Sequence, residues 1–169
     1  SFIYKKMFTK LSRIVVLNQD DKLLVRSLLN KLDDRLKLVE GIGVDIGTYS
    51  EMPEPDFENP VFGYIGRLLK DKGVNDFIIA AGLVKAKYPD ARFVIMGDCD
   101  FGNPSSITHC ELKSLVNNGV IEYRGFEHDI SSALVSITVL VLPSYREGLS
   151  RVLQEALASG RPVIATTAP

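Results

Sequence analysis

The sequence predicts a doubly wound α/β domain, a Rossmann-like parallel sheet covered by helices on both faces. Two observations carry that reading. Apolar runs of four to seven residues alternate with segments of helical period. Five such runs follow residue 60 with a helical segment between each pair of neighbours, a pattern that requires right-handed crossovers and buries the sheet on both sides.

Taken in order, RIVVL (13–17) reads as a strand and DDKLLVRSLLNKL (20–32) as an amphipathic helix with Leu23, Leu24, Leu28 and Leu32 on its apolar stripe. RLKLV (35–39) is a second strand. GIGVDIGTYSEMPEPDFENP (41–60), rich in Gly, Pro and acids, has no period and reads as a long loop and boundary. Beyond it, VFGYIG (61–66), ARFVIMG (91–97), VIEYRG (120–125), ITVLVLP (137–143) and RPVIAT (161–166) read as strands. The helices between them are expected over 74–88, closed by Pro89, then near 108–118, near 129–135 and over 149–159.

The chain has 169 residues, enough for one domain with a sizeable core. A composition of 46% hydrophobic and 24% charged residues is that of a globular protein, and a net charge of -1 argues against a nucleic-acid binder. No apolar run approaches the ~20 residues needed to span a bilayer, and SFIYKKMFTK is not followed by a signal-peptide core. Two cysteines, Cys99 and Cys110, suit a reducing, cytoplasmic setting. The absence of an initial Met and a last strand followed directly by the terminus lead us to expect truncation at both ends, with self-association of the fragment through exposed apolar surface.

In doubly wound sheets, ligands bind outside the carboxyl ends of the strands. The first of the five ends in Gly66-Arg67 and continues through LLKDKG. Arg67 and Lys72 there suit a diphosphate, the one as a fork and the other as a point charge, although two solvated basic side chains would read the same way. Gly97 and Gly125-Phe126 end the next two strands, where a simple turn is the plainer reading. Phe126 could stack on a base or pack in the core. In PSYREGLSRVLQEALASGRPVIAT (143–166), Glu147 precedes a helix and Glu155 follows eight positions later, about two turns along. The N–H groups of Gly148, Leu149 and Ser150 are expected at the helix start, where an anion can bind. That order fits a nucleotide sugar, with Glu147 on the sugar hydroxyls and Glu155 on the ribose diol. Two helix-surface acids are the alternative.

VFGYIGRLLKDKG, ARFVIMGD, VIEYRGF and LVLPSYREGLSRVLQEALASGRPVIAT resemble, in order and spacing, the C-terminal domain of retaining family-four glycosyltransferases of the GT-B fold. Their Glu-x7-Glu motif matches Glu147 and Glu155. The resemblance implies a donor-binding domain at 61–169, a linker at 46–60, and at 1–45 the tail of an N-terminal acceptor domain. It implies a catalytic set of Glu147, Arg67 and Lys72, and donor contacts from Gly66, Gly97, Phe126, Gly148, Leu149, Ser150 and Glu155. Many members have Pro where this chain has Ser150; the relevant backbone N–H is retained.

The wording SYREGLSRVLQEA is similar to bacterial enzymes of capsule, O-antigen, lipopolysaccharide and related polysaccharide biosynthesis. This implies transfer of a hexose or N-acetylhexosamine from a nucleoside diphosphate sugar, UDP-linked, to a glycan or lipid-linked acceptor with retention. No cofactor and no metal are expected, because Arg67, Lys72 and the helix start can stabilise the leaving phosphate. Peripheral membrane contact is expected through the N-terminal domain, and the isolated fragment is expected to be inactive. A non-catalytic sugar-nucleotide-binding domain and a GT-B epimerase are the competing readings.

Three other patterns are set aside. GIGVDIG (41–47) has the wrong glycine spacing for NAD. Cys99, His109 and Cys110, with Asp98 or Asp100, match no ordinary zinc site. His128 stands beside Asp129, which reads as a helix N-cap rather than a catalytic pair.

Overall fold

The computed structural model describes residues 2–8, 10–29, 34–39, 41–50, 52–100 and 102–167. They form two compact units, one comprising the chain up to Gly43 together with 147–151, the other 44–146 and 152 onward.

In the first unit, α1 (Phe2–Phe8) precedes β1 (Ile14–Val16), α2 (Gln19–Leu29) and β2 (Leu36–Leu38), with β1 and β2 paired in parallel. The strands are three residues each and offer a narrow apolar strip of Ile14, Val16 and Leu36. Val25 and Leu29 of α2 cover it, one turn apart. The stripe expected from the sequence is therefore rotated. Leu23 and Leu24 are exposed, Leu28 is half-buried, and Leu32 lies outside the described residues. Asn18 caps α2, accepting from the Asp21 amide at 2.7 Å.

The second unit begins with a helix that the aperiodic stretch 41–60 does not announce, α3 (Ile46–Ser50), whose Tyr49 enters the core. Then follow β3 (Val61–Ile65), a single 3-10 turn (Lys70–Lys72), α4 (Val74–Lys87), β4 (Arg92–Met96), α5 (His109–Asn117), β5 (Glu122–Tyr123), α6 (Ile130–Val135), β6 (Val139–Leu142), α7 (Arg151–Ala158) and β7 (Val163–Ala165). Among the described residues the five strands β3 to β7 make one parallel sheet in the order β5-β4-β3-β6-β7. The order reverses between β3 and β6, and a crevice at their carboxyl ends is the expected ligand position. β5 is only two residues long, although the sequence suggests a run from 120 to 125.

Alternation along each strand separates two cores. Tyr64, Phe93 and Ile95 pack with Val74, Phe77 and Ala81 of α4 and Leu112 of α5. Ile65, Val94, Met96 and Leu140 pack on the other face with Leu134 of α6 and Ala156 of α7. Each fully buried Leu or Ile contributes ~1.5–3 kcal/mol. α5 starts with a capping box: Thr108 accepts from the Glu111 amide at 3.2 Å and Glu111 accepts from the Thr108 amide at 2.7 Å. As the sequence suggests, Asp129 caps α6, accepting from Ser131 N at 3.0 Å.

Two buried polar side chains tie the segment before β3 to the sheet. Thr138 accepts from Val61 N at 3.0 Å and donates to Asp56 O at 2.8 Å. Arg161, 2% exposed, donates to the carbonyls of Leu134 at 2.9 Å and Pro53 at 2.8 Å. Burial lowers its pKa below the usual arginine value.

Candidate functional site

β3 and β4 end level with each other, Ile65 opposite Met96, so Gly66 and Gly97 emerge side by side. Gly66 N donates to Met96 O at 3.0 Å and Gly97 N to Gly125 O at 2.7 Å, which brings three strand ends into contact. The approach is close enough to exclude a side chain. A Cβ on Gly97 would lie 1.9 Å from the Gly66 carbonyl oxygen, and its φ of +148 is one that L residues rarely adopt.

A cleft of about 480 Å³ opens above these ends. Gly66, Arg67, Gly97, Asp98, Phe126 and His128 are among its lining residues, so four of the residues expected to bind the donor, Gly66, Arg67, Gly97 and Phe126, converge there. Phe126 is 58% exposed, its ring edge-on to His128 with centroids 4.8 Å apart. Of the two sequence alternatives for Phe126, packing in the core is excluded.

Tyr123, which no sequence pattern singles out, fixes one wall of this cleft. Its hydroxyl lies 3.0 Å from Gly97 O and 3.1 Å from Asp98 Oδ1, and donates to these acceptors. Burial, then the Asp98 carboxylate, push the phenol pKa from 10 up to about 12. The folded chain thus holds the proton more tightly than the unfolded one. The stability gained is intact below pH 10 and lost as pH rises toward 12. Unfolding midpoints measured across that interval should fall for the wild type, and Tyr123→Phe should remove this component of the fall.

Two loops form the rim on the Arg67 side. The segment after β3 and the segment after β4 are joined by Leu68 N to Asp98 O at 3.0 Å, Lys70 N to Ser105 O at 2.7 Å and Ile107 N to Leu68 O at 3.0 Å. Ser105 Oγ also donates to Asp71 Oδ1 at 2.8 Å, which holds that carboxyl below its usual range. The Arg67 guanidinium pairs with Asp100 at 3.3 Å. Lys72 ends the 3-10 turn, half-buried, and does not line this cleft. Gly73 follows it with φ +73, and a Cβ there would meet Pro143 O at 1.9 Å. The loops after β3 and β6 therefore touch at the point where strand order reverses, reinforced by Tyr145 N donating to Asp71 O at 3.0 Å.

Beyond Pro143 the expected helix start is displaced. α7 begins at Arg151, so Gly148, Leu149 and Ser150 precede it, and the first helical amides belong to the residues after Ser150. Serine is a residue type favoured just before a helix, which agrees with the later start. Glu147 is half-buried and Gly148 exposed. Within the first unit, Asn18 Nδ2 donates to the Gly148 carbonyl at 3.4 Å. Glu155 lies in α7, where the sequence places it, and is only 3% exposed.

Cys99 is buried and Cys110 exposed. Burial, then the Asp98 charge, raise the Cys99 thiol pKa. Among the described residues no group of three or more His, Cys, Asp and Glu is placed to hold a metal ion. Nor is any helix among them long and apolar enough to cross a membrane.

Residues 59–169 match the family described as glycosyl transferases group 1. The chain is 29% identical over 174 residues to the N,N'-diacetylbacillosaminyl-diphospho-undecaprenol alpha-1,3-N-acetylgalactosaminyltransferase of Campylobacter jejuni, covering 96% of this chain and 44% of that protein. It is 31% identical over 109 residues to the capsular polysaccharide biosynthesis glycosyltransferase CapM of Staphylococcus aureus, covering 64% and 28%. The chain thus spans less than half the length of these relatives. Among solved structures, Anabaena HepE in complex with UDP and glucose superposes with a TM-score of 0.72 at 21% identity, over 93% of this chain and 45% of that one. TarM gives 0.77 at 20% identity, over 99% and 32%. The parallel sheet is that of GT-B glycosyltransferases, and covers part of the full-length enzymes. The chain belongs to the glycosyl transferases group 1 family.

Proposed function

We propose that the chain supplies the donor side of a retaining glycosyltransferase that moves a hexose or N-acetylhexosamine from a UDP-linked donor to a glycan or lipid-linked acceptor. The carrying observation is the cleft at the ends of β3 and β4, where Gly66, Arg67, Gly97 and Phe126 converge. It lies at the carboxyl ends of parallel strands, where doubly wound folds take ligands, on the β4 side of the point where strand order reverses. UDP is named in the HepE complex, and the Campylobacter relative is named for a diphospho-undecaprenol acceptor. In this reading, 61–169 is the donor domain, 46–60 the linker and 1–45 part of the acceptor domain.

Phe126 and the turn at Gly97 take the base, and Glu155 accepts from the ribose diol. Arg67 and Lys72 neutralise charge developing on the departing diphosphate, and Glu147 orients the sugar through its hydroxyls. In this reading no metal is required, because Arg67 and Lys72 supply the positive charge that a departing diphosphate needs. In this reading the reaction takes place on the cytoplasmic side, with peripheral membrane contact.

Calorimetric titration with UDP, GDP and ADP tests this reading. Saturable binding of UDP in preference to the others is expected. Glu155→Ala should weaken it about tenfold or more, the value of a charge-assisted hydrogen bond in a buried site. Equal binding before and after that substitution would remove Glu155 from the donor site.

A further inference from the structure

We propose that Asp100 competes with the donor diphosphate for Arg67, and so weakens diphosphate binding and hastens its release. This rests on the reading of the cleft as a nucleotide site. Both residues line it, 33 positions apart in sequence, and their side chains meet at 3.3 Å. The carboxylate is held in place rather than loosely placed. Asn103 Nδ2 donates to the same Oδ2 at 3.2 Å, and the Asp100 backbone N–H donates to Ser106 Oγ at 2.9 Å.

The charges around the cleft sharpen the point. Asp98, Asp100 and Glu127 line it, against one guanidinium, Arg67, and the imidazole of His128. A carboxylate on the arginine lowers the positive potential that the guanidinium offers a diphosphate, and with the Arg67 side chain 64% exposed an arriving phosphate can reach it. An arriving phosphate either displaces Asp100 or shares the guanidinium fork with it. In both cases the carboxylate lies well inside a Debye length of the phosphate and repels it. A free nucleoside diphosphate carries more negative charge than the same diphosphate esterified to a sugar, because its terminal phosphate ionises a second time near neutrality. Repulsion from Asp100 therefore falls hardest on the product.

The test is calorimetry and stopped-flow release of UDP, with uridine as the uncharged comparison, on wild type, Asp100→Asn, Arg67→Ala and the double variant. Asp100→Asn keeps an oxygen acceptor for Asn103, and unchanged thermal midpoints check the fold. UDP should bind about three- to tenfold tighter to Asp100→Asn and leave more slowly, with the gain larger at low ionic strength and absent for uridine. In the Arg67→Ala background the effect of Asp100→Asn should shrink. Unchanged or weaker UDP binding by Asp100→Asn would overturn the proposal and leave Asp100 as an aid to Arg67 placement, while the nucleotide reading stands. UDP binding by none of the four would overturn the nucleotide reading as well.

Discussion

Gly97→Ala should abolish UDP binding and lower the stability of the chain by ~3 kcal/mol or more, the sum of a steric and a backbone contribution. A Cβ at this position would stand 1.9 Å from the Gly66 carbonyl oxygen, well inside contact distance and against backbone rather than a movable side chain. Relief requires β3 and β4 to separate at the ends that form the cleft. Overpacking of this kind costs ~1–3 kcal/mol, and an alanine at φ +148 adds ~1–3 kcal/mol of backbone strain. Gly119→Ala is the informative comparison, because that glycine, away from the cleft, has φ +65 but nothing within 4 Å of the place a Cβ would take. It should cost only the backbone part and leave UDP binding intact. Urea unfolding and calorimetry on the two variants separate the steric contribution from the conformational one.

Arg161→Ala should be comparably damaging for a different reason. Its guanidinium satisfies the carbonyls of Leu134 and Pro53 and approaches that of Ser159, all while 2% exposed. Truncation leaves those carbonyls without their donor and opens a large space against α6. Each buried carbonyl left without its donor costs ~1–3 kcal/mol. Arg161→Lys should recover little, because one ammonium cannot reproduce the fork that meets carbonyls on separate segments. Arg161→Met should lie between the two, since it fills space without restoring hydrogen bonds. Chemical denaturation of all three ranks these contributions, and a wild-type midpoint for Arg161→Ala would contradict the account.

Strand positions from 61 onward are legible in the sequence because each is a short apolar run, four of the five ending at a glycine or proline, a local signal. The cap of α6 at Asp129 is legible for the same reason. Elements held by distant partners are not. α3 carries too few residues for a period and gains its stability from Tyr49 entering a core assembled far along the chain. The apolar stripe of α2 is ambiguous because leucines occur on more than one side, and the narrow strip beneath chooses Val25. In the cleft, glycines and Phe126 can be named from their place after strands. Tyr123, Asp100 and Arg161 cannot, since each acts across 25 or more residues that only folding brings together. α7 starts at Arg151 rather than at 149, because nothing in the run Leu149-Ser150-Arg151 marks locally which residue takes the first helical position.

The rim beside Arg67 is laced by backbone hydrogen bonds that run both ways between the segments after β3 and after β4. Amides of Leu68, Lys70 and Ile107 thus have their acceptors on the opposite segment. Neither segment can breathe without releasing the other, and protection against hydrogen exchange should be gained and lost by the three amides together. Any substitution that loosens the 98–107 loop would then alter not only the base end of the cleft but the lifetime of the position from which Arg67 reaches its anion.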